Sequence, residues 1–144
     1  TFDIIFTSPP YFNIERYGND DNQSWVRYKD IDSWNYQFLQ KALDNMIPTL
    51  KSGGKLCVNI SDVNAKTKGG AQYLKICDPM NEFLDEYRDM EYKGCIGMEM
   101  AKRPNSGGAG TAKDNNQFKE KTLEMVEKNK DKVFCEPIWI WEKK

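Results

Sequence analysis

The chain opens on an almost unbroken apolar run, Phe2-Asp3-Ile4-Ile5-Phe6, rich in β-branched and aromatic side chains. A run of this kind, lacking strict apolar–polar alternation, predicts a strand buried on both faces of a sheet. Thr7-Ser8-Pro9-Pro10-Tyr11 follows as a rigid turn, and a polar, aromatic-rich loop extends to about Asp30. Over residues 31–50 the apolar positions Tyr36, Leu39, Leu43, Met46, Ile47 and Leu50 recur at three- and four-residue steps, the pattern of an amphipathic helix. Asp30 or Asp32 is placed to cap its start, Pro48 to tighten its last turn, and Gly53-Gly54 to stop it through a positive φ. Lys55-Leu56-Cys57-Val58-Asn59-Ile60-Ser61 then reads as a second buried strand. Strand, helix and strand in this order predict a right-handed βαβ unit and a parallel sheet.

Residues 62–77 read as a loop centred on Gly69-Gly70. Asp78-Pro79 predicts a helix start, with aspartate as N-cap and proline at the first helical position. Met80, Phe83, Leu84 and Tyr87 would face inward from that helix, and Glu82, Asp85, Glu86 and Asp89 outward. A strand is expected at about 92–101, a loop at 103–116, a short polar helix at 117–128 and a last strand at about 132–142. Pro137 would confine that last strand to an edge or a bulge. The alternation predicts a three-layer α/β fold whose final two strands are antiparallel at the edge of the sheet. A natural domain seldom begins inside its central sheet, so the chain is expected to be a piece of a longer protein.

Composition narrows the chemistry. At 144 residues the chain is long enough for one domain and short for two. Its 21 basic and 22 acidic residues leave a net charge of −1, which excludes a polybasic or a strongly acidic tail. No apolar run approaches the roughly 20 residues of a membrane span, and nothing at the N-terminus reads as a signal peptide. Histidine is absent, so histidine triads, histidine general bases and HExxH zinc sites are excluded. Cys57, Cys77, Cys95 and Cys135 contain no CxxC pair and read as reduced core thiols of a cytoplasmic protein rather than a zinc site.

The informative feature is the turn after the first strand. Ligands of open α/β sheets collect at the carboxyl ends of strands, where this turn must lie. Two consecutive prolines fix φ twice and remove two N–H donors, leaving nearby carbonyls free of local partners. Ser8 adds a hydroxyl acceptor and Tyr11 a flat aromatic face. A rigid cluster of acceptors beside a stacking surface suits a planar group that carries an NH2.

Ser8-Pro9-Pro10-Tyr11 after a strand, with Leu50-Lys51-Ser52-Gly53-Gly54-Lys55-Leu56 before the next, resembles the amino-group DNA methyltransferases. Those enzymes carry an (Asp/Asn/Ser)-Pro-Pro-(Tyr/Phe) motif. The closing Cys135-Glu136-Pro137-Ile138-Trp139-Ile140-Trp141 is similar to their last strand. The resemblance implies a Rossmann-like S-adenosylmethionine-dependent methyltransferase fold, of which residues 1–144 form the catalytic half of the sheet. It implies methyl transfer from S-adenosylmethionine to the exocyclic amine of a flipped base, with cytosine N4 favoured over adenine N6 by the serine. Ser8, Pro9, Pro10 and Tyr11 would be catalytic: Ser8 and the Pro9 carbonyl accept the amine hydrogens, while Tyr11 stacks on the base. Thr7, Ser8 and Pro9 would border the cofactor.

The glycine turn and acidic residue that hold the cofactor in that family are missing, since Ser106-Gly107-Gly108-Ala109-Gly110 follows an edge-like strand and precedes a polar loop. The missing cofactor-binding half of the same protein is therefore an expected partner, beside double-stranded DNA, and a homodimer is allowed. Without that half the chain should be inactive. Arg16 and Arg27 lie in a loop that interleaves Phe12, Tyr17, Trp25 and Tyr28, readable either as a DNA-ordering segment or as a plain surface lid. Lys102, Arg103 and Lys113 belong to a net-positive segment suited to phosphate contact. Competing readings are an RNA or protein-amide methyltransferase of the same fold, for which asparagine at position 8 is more usual, and an inactive nucleic-acid-binding prophage remnant. Expression in a prokaryotic or phage-infected cytoplasm fits all three.

Overall fold

The computed structural model describes residues 1–15, 17–18, 20–67, 70–100 and 134–144. Its first strand, β1 (Phe2–Thr7), pairs in parallel with β2 (Leu50–Asn59), as the predicted βαβ unit requires. Between them run α1 (Ser24–Arg27), α2 (Ile31–Trp34), a π-helical turn (Asn35–Gln40), α3 (Lys41–Met46) and a 3-10 turn (Ile47–Thr49). From Ile31 to Thr49 this is one continuous helical run. Asp30 caps it, its Oδ1 accepting the Ser33 N–H at 2.8 Å. The far end closes on Pro48 and on Lys143, whose Nζ donates to the carbonyls of Ile47 and Leu50 at 3.3 and 3.1 Å.

Gly53 and Gly54 do not stop the helix. They lie within β2, at a register shift that sets Phe2 opposite Leu50 but Ile4 opposite Lys55. Gly53 takes φ +76°, and a Cβ on Gly54 would stand 2.9 Å from the Lys51 carbonyl and 3.1 Å from that of Phe2. The pair forms a bulge that lets two backbones approach, a local use of glycine that looks the same in sequence as a helix stop.

After β2 come β3 (Val63–Thr67) and β4 (Gly70–Leu74), an antiparallel pair where a loop was expected. α4 (Cys77–Asp85) then leads to β5 (Met90–Met100), and β6 (Phe134–Lys143) ends the chain. The main sheet has the order β1-β2-β6-β5, with β6 antiparallel to both neighbours. The last strand is thus inside the sheet and not at its edge. Pro137 is tolerated because the β2–β6 ladder ends at Asn59 opposite Ile138, one residue before the proline would have to donate to it. The loop expected at 103–116 and the helix expected at 117–128 lie outside the described residues.

Side chains on the two faces of this sheet differ sharply. Leu56 and Val58 of β2 and Trp139 and Trp141 of β6 point to one face, all fully buried. There they meet Trp34, Leu39, Leu43 and Ile47 from the helical run and Met80 and Leu84 from α4. The opposite face carries Ile4 and Phe6, exposed at 63% and 58%, and Ile96 at 55%. Among the described residues the helices cover one face only, so two layers are present where three were predicted. The acidic residues Glu82 and Asp85 of α4 and Glu86 at its C-cap face solvent, as the periodicity indicates. No described helix is long and apolar enough to cross a membrane.

Candidate active site

The proline corner lies at the carboxyl end of β1. The parallel ladder closes with Thr7 opposite Val58, which carries Ser8 just past the sheet and beside Asn59. Ser8 is exposed, and its Oγ donates to Asn59 Oδ1 at 3.2 Å. Asn59 itself is 2% exposed, and its Nδ2 donates to the Pro137 carbonyl at 3.0 Å. Three strands, β1, β2 and β6, therefore meet through one side-chain chain at this corner. Neither Asn59 nor the Pro137 carbonyl was singled out from the sequence. The available signal was a carboxamide at the end of a strand otherwise destined for the core, where an unpaired polar group is costly.

The corner is stiff beyond its prolines. The Pro10 carbonyl accepts the Phe12 N–H at 3.0 Å, and the Tyr11 carbonyl accepts that of Ile14, also at 3.0 Å. Phe12 adopts φ +48°, an unfavourable conformation for a bulky residue that its ring packing sustains. That ring is buried against Trp34, with centroids 5.9 Å apart. Glu15 accepts the Tyr11 N–H at 3.2 Å and the Tyr17 hydroxyl at 2.9 Å, closing the loop. Among the described residues no main-chain donor is bonded to the Pro9 carbonyl, next to Ser8 in the chain.

Tyr11 departs from its expected posture. It is 7% exposed, and its hydroxyl donates to Glu136 Oε2 of β6 at 3.1 Å. Burial, and then the Glu136 carboxylate, push the phenol well above its ordinary pKa, so it stays a neutral donor. The ring is a latch between corner and sheet in this conformation, rather than an open face for a base. Two residues along the chain, the buried Asn13 Oδ1 lacks a hydrogen-bond partner among the described residues.

The aromatic loop is likewise folded inward. Phe12 is in the core, and Trp25 and Tyr28 pack against it; Tyr17, at 74%, is the exposed one of the four aromatics named from the sequence. Three of the four rings thus gain by burial against the helical side, which leaves Tyr17 as the ring facing water. Arg27 is exposed at the end of α1. Arg16, Lys102, Arg103 and Lys113 lie outside the described residues. A groove lined by Tyr28, Tyr36, Gln37, Gln40, Lys41, Asp44 and Phe83 lies on the helical side and includes none of the corner residues.

Three residues beyond Asn59, Asp62 organises the next segment. It is 1% exposed, and its Oδ1 accepts the N–H groups of Ile76 and Cys77 at 2.7 and 2.9 Å, while Oδ2 accepts the Tyr73 hydroxyl. α4 therefore opens at Cys77 with a cap supplied from across the chain, and Asp78 lies within its first turn instead of capping it. The sequence pattern Asp-Pro is a valid helix start, but a buried carboxylate that meets two N–H groups at once outcompetes a local cap.

A DNA methylase family model matches residues 2–144. The chain belongs to the DNA methylase family. A comparison with curated proteins returns no match. Among solved structures, the chain is similar to a candidate DNA modification methylase of Thermus thermophilus, crystallised with S-adenosyl-L-methionine. The TM-score is 0.54 at 16% identity, covering 97% of this chain and 46% of the other, so this methylase chain spans about half the length of that one. At that identity the likeness concerns the fold. It places the four-stranded mixed sheet among methyltransferase-like α/β folds.

Proposed function

We propose that this methylase chain is the catalytic half of a DNA methyltransferase acting on the exocyclic amine of a flipped base, cytosine N4 in preference to adenine N6. The observation that carries the proposal is the exposed Ser8 at the carboxyl end of a strand, its hydroxyl donating to Asn59, beside a Pro9 carbonyl that no main-chain donor among the described residues engages. An exocyclic amine is a weak nucleophile because its lone pair is delocalised into the ring. Two acceptors fixed on the amine hydrogens draw the nitrogen toward tetrahedral geometry and stabilise the positive charge that grows there. The stiff corner keeps those acceptors in place without reorganisation, which is where its rate contribution arises. When bound, S-adenosylmethionine supplies the methyl group. The amine held by Ser8 and the Pro9 carbonyl would accept that methyl group and lose one proton to solvent, the cofactor's sulfur keeping the electron pair of the broken bond.

The described residues supply only one wall of a cofactor site: Thr7, Ser8 and Pro9, with the unpartnered Asn13 Oδ1 nearby. No strand–glycine turn–helix segment lies among them. The bare sheet face with Phe2, Ile4 and Phe6, together with the half-length match, supports a cofactor-binding half as the chain's partner. That half completes the third layer of the sheet, and the joined protein acts on double-stranded DNA in the cytoplasm, with Arg27 on a phosphate. The test is mass spectrometry of nucleosides from DNA incubated with S-adenosylmethionine and the polypeptide carrying both halves. N4-methylcytosine is the expected product. N6-methyladenine would move the target assignment, and the absence of either would overturn the proposal. Full turnover by residues 1–144 alone would overturn the division into halves.

A further inference from the structure

Ser8 is a hydroxyl, and a hydroxyl is ambiguous: it can donate one hydrogen bond or accept two. Which of these it offers a ligand depends on where its own hydrogen goes. The Pro137 carbonyl can only accept, so the Asn59 carboxamide must turn its NH2 toward it, and the 3.0 Å contact is of that kind. Once Nδ2 is committed to Pro137, Oδ1 faces Ser8. A carboxamide oxygen has no hydrogen to give, so the serine must donate to it, at 3.2 Å. Ser8 then presents lone pairs outward. The asparagine is 2% exposed and the Pro137 carbonyl lies inside the sheet, so water does not readily exchange for either partner.

We infer that Asn59, oriented by the Pro137 carbonyl, fixes the polarity of Ser8 and thereby makes the corner select bases that carry an amino group over their keto counterparts. The inference rests on the base-amine reading of the corner and adds to it a positioning residue that acts through Ser8. An acceptor-only hydroxyl pairs with the N–H of cytosine or adenine. Facing the carbonyl oxygen of uracil or hypoxanthine it meets lone pair against lone pair. Were the hydroxyl free to rotate, it could donate to that carbonyl, and the distinction would fade.

The test compares binding of dC and dU octamers, and of dA and dI octamers, to the 144-residue chain by fluorescence anisotropy. Backbone contacts are shared within each pair, so the ratio reports the base. The unaltered chain should prefer the amino member of at least one pair by about tenfold, the size of one matched against one mismatched polar contact. Asn59→Ala should bring that ratio within about threefold of unity. Asn59→Ser, whose hydroxyl fixes no direction, should behave like the alanine variant and serves in its place if circular dichroism shows the latter unfolded. A merely structural asparagine would weaken all octamers together and leave the ratio intact; that outcome, with the unaltered chain selective, overturns the inference alone. Equal or absent binding of both members of each pair by the unaltered chain removes the base-amine reading, and the inference with it.

Discussion

Two polar side chains leave the same end of β2 three residues apart, both buried, and they do opposite things. Asp62 has every contact directed into the fold: two helix N–H groups on one oxygen and a tyrosine hydroxyl on the other. Asn59 passes its contacts outward, taking its orientation from Pro137 and handing it to an exposed serine. A saturated buried group stabilises; a group that ends in an exposed acceptor with lone pairs to spare is equipped to meet a ligand. Burial alone would not distinguish them, since Asn59 is 2% and Asp62 1% exposed. The difference lies in where the chain of hydrogen bonds terminates.

Removing the outward terminus should cost function far more than stability. Ser8→Ala in the polypeptide carrying both halves should lower methylation turnover about 100-fold, the usual loss for one aligned contact to developing charge. Its urea midpoint should fall only slightly, for a loss of about 1 kcal/mol, because the buried Asn59 Oδ1 loses its donor. Turnover within threefold of the parent would remove Ser8 from the mechanism. The inward partner should show the reverse. Asp62→Ala strands two buried N–H groups at the start of α4 and should destabilise the chain by about 3 kcal/mol in urea unfolding. A loss below about 1 kcal/mol would mean that the carboxylate is not the effective cap.

The other end of β2 sharpens the contrast, since nothing there faces a ligand. Gly54→Ala pushes a methyl into the Lys51 and Phe2 carbonyls and should cost about 2 kcal/mol. The base selectivity of the corner should be untouched, and a change in it would show that the two ends are coupled.

Alkali probes the saturated interior. Burial pushes the Cys95 thiol from 9.0 up to about 12, and burial followed by the Asp62 carboxylate also raises Cys77 well above its ordinary value. The folded chain holds these protons where the unfolded chain releases them, so their stabilisation is complete below about pH 9. It is lost progressively as pH climbs from 9 toward 12. The urea midpoint should therefore fall across that window, and Cys95→Val should flatten the slope. A midpoint independent of pH between 9 and 11 would contradict the raised pKa of the buried Cys77 and the partly buried Cys95. The smallest effect belongs to the surface: Lys51 and Asp3 pair at 2.9 Å in open water, and Asp3→Asn should leave the urea midpoint unchanged.

Much of the fold was legible because it rests on local patterning. The apolar run of β1, the three-four spacing of residues 31–50 and the inward face of α4 each follow from side chains that must leave water together. Ser8-Pro9-Pro10-Tyr11 was legible as a rigid acceptor corner for the same reason, since proline acts on its own φ and N–H wherever it stands. The errors share a different cause. Gly53-Gly54 as a bulge, Asp62 as the cap of α4, the β3–β4 pair and the inner position of β6 all depend on partners far along the chain, which no local window contains. Tyr11 illustrates this within the motif itself: its place beside the prolines was readable, but Glu136, 125 residues away, turned its ring inward.

By itself, then, the sequence determined which segments are apolar, where the backbone is stiff, and that the acceptor of interest is a hydroxyl on a proline corner. These properties belong to single residues and their immediate neighbours. Only the tertiary structure decided which way that hydroxyl points, because its hydrogen is directed by Asn59 and the asparagine by a carbonyl on β6. Hydrogen-bond direction is a property of the assembled network, and it exists only once three strands remote in sequence have come together.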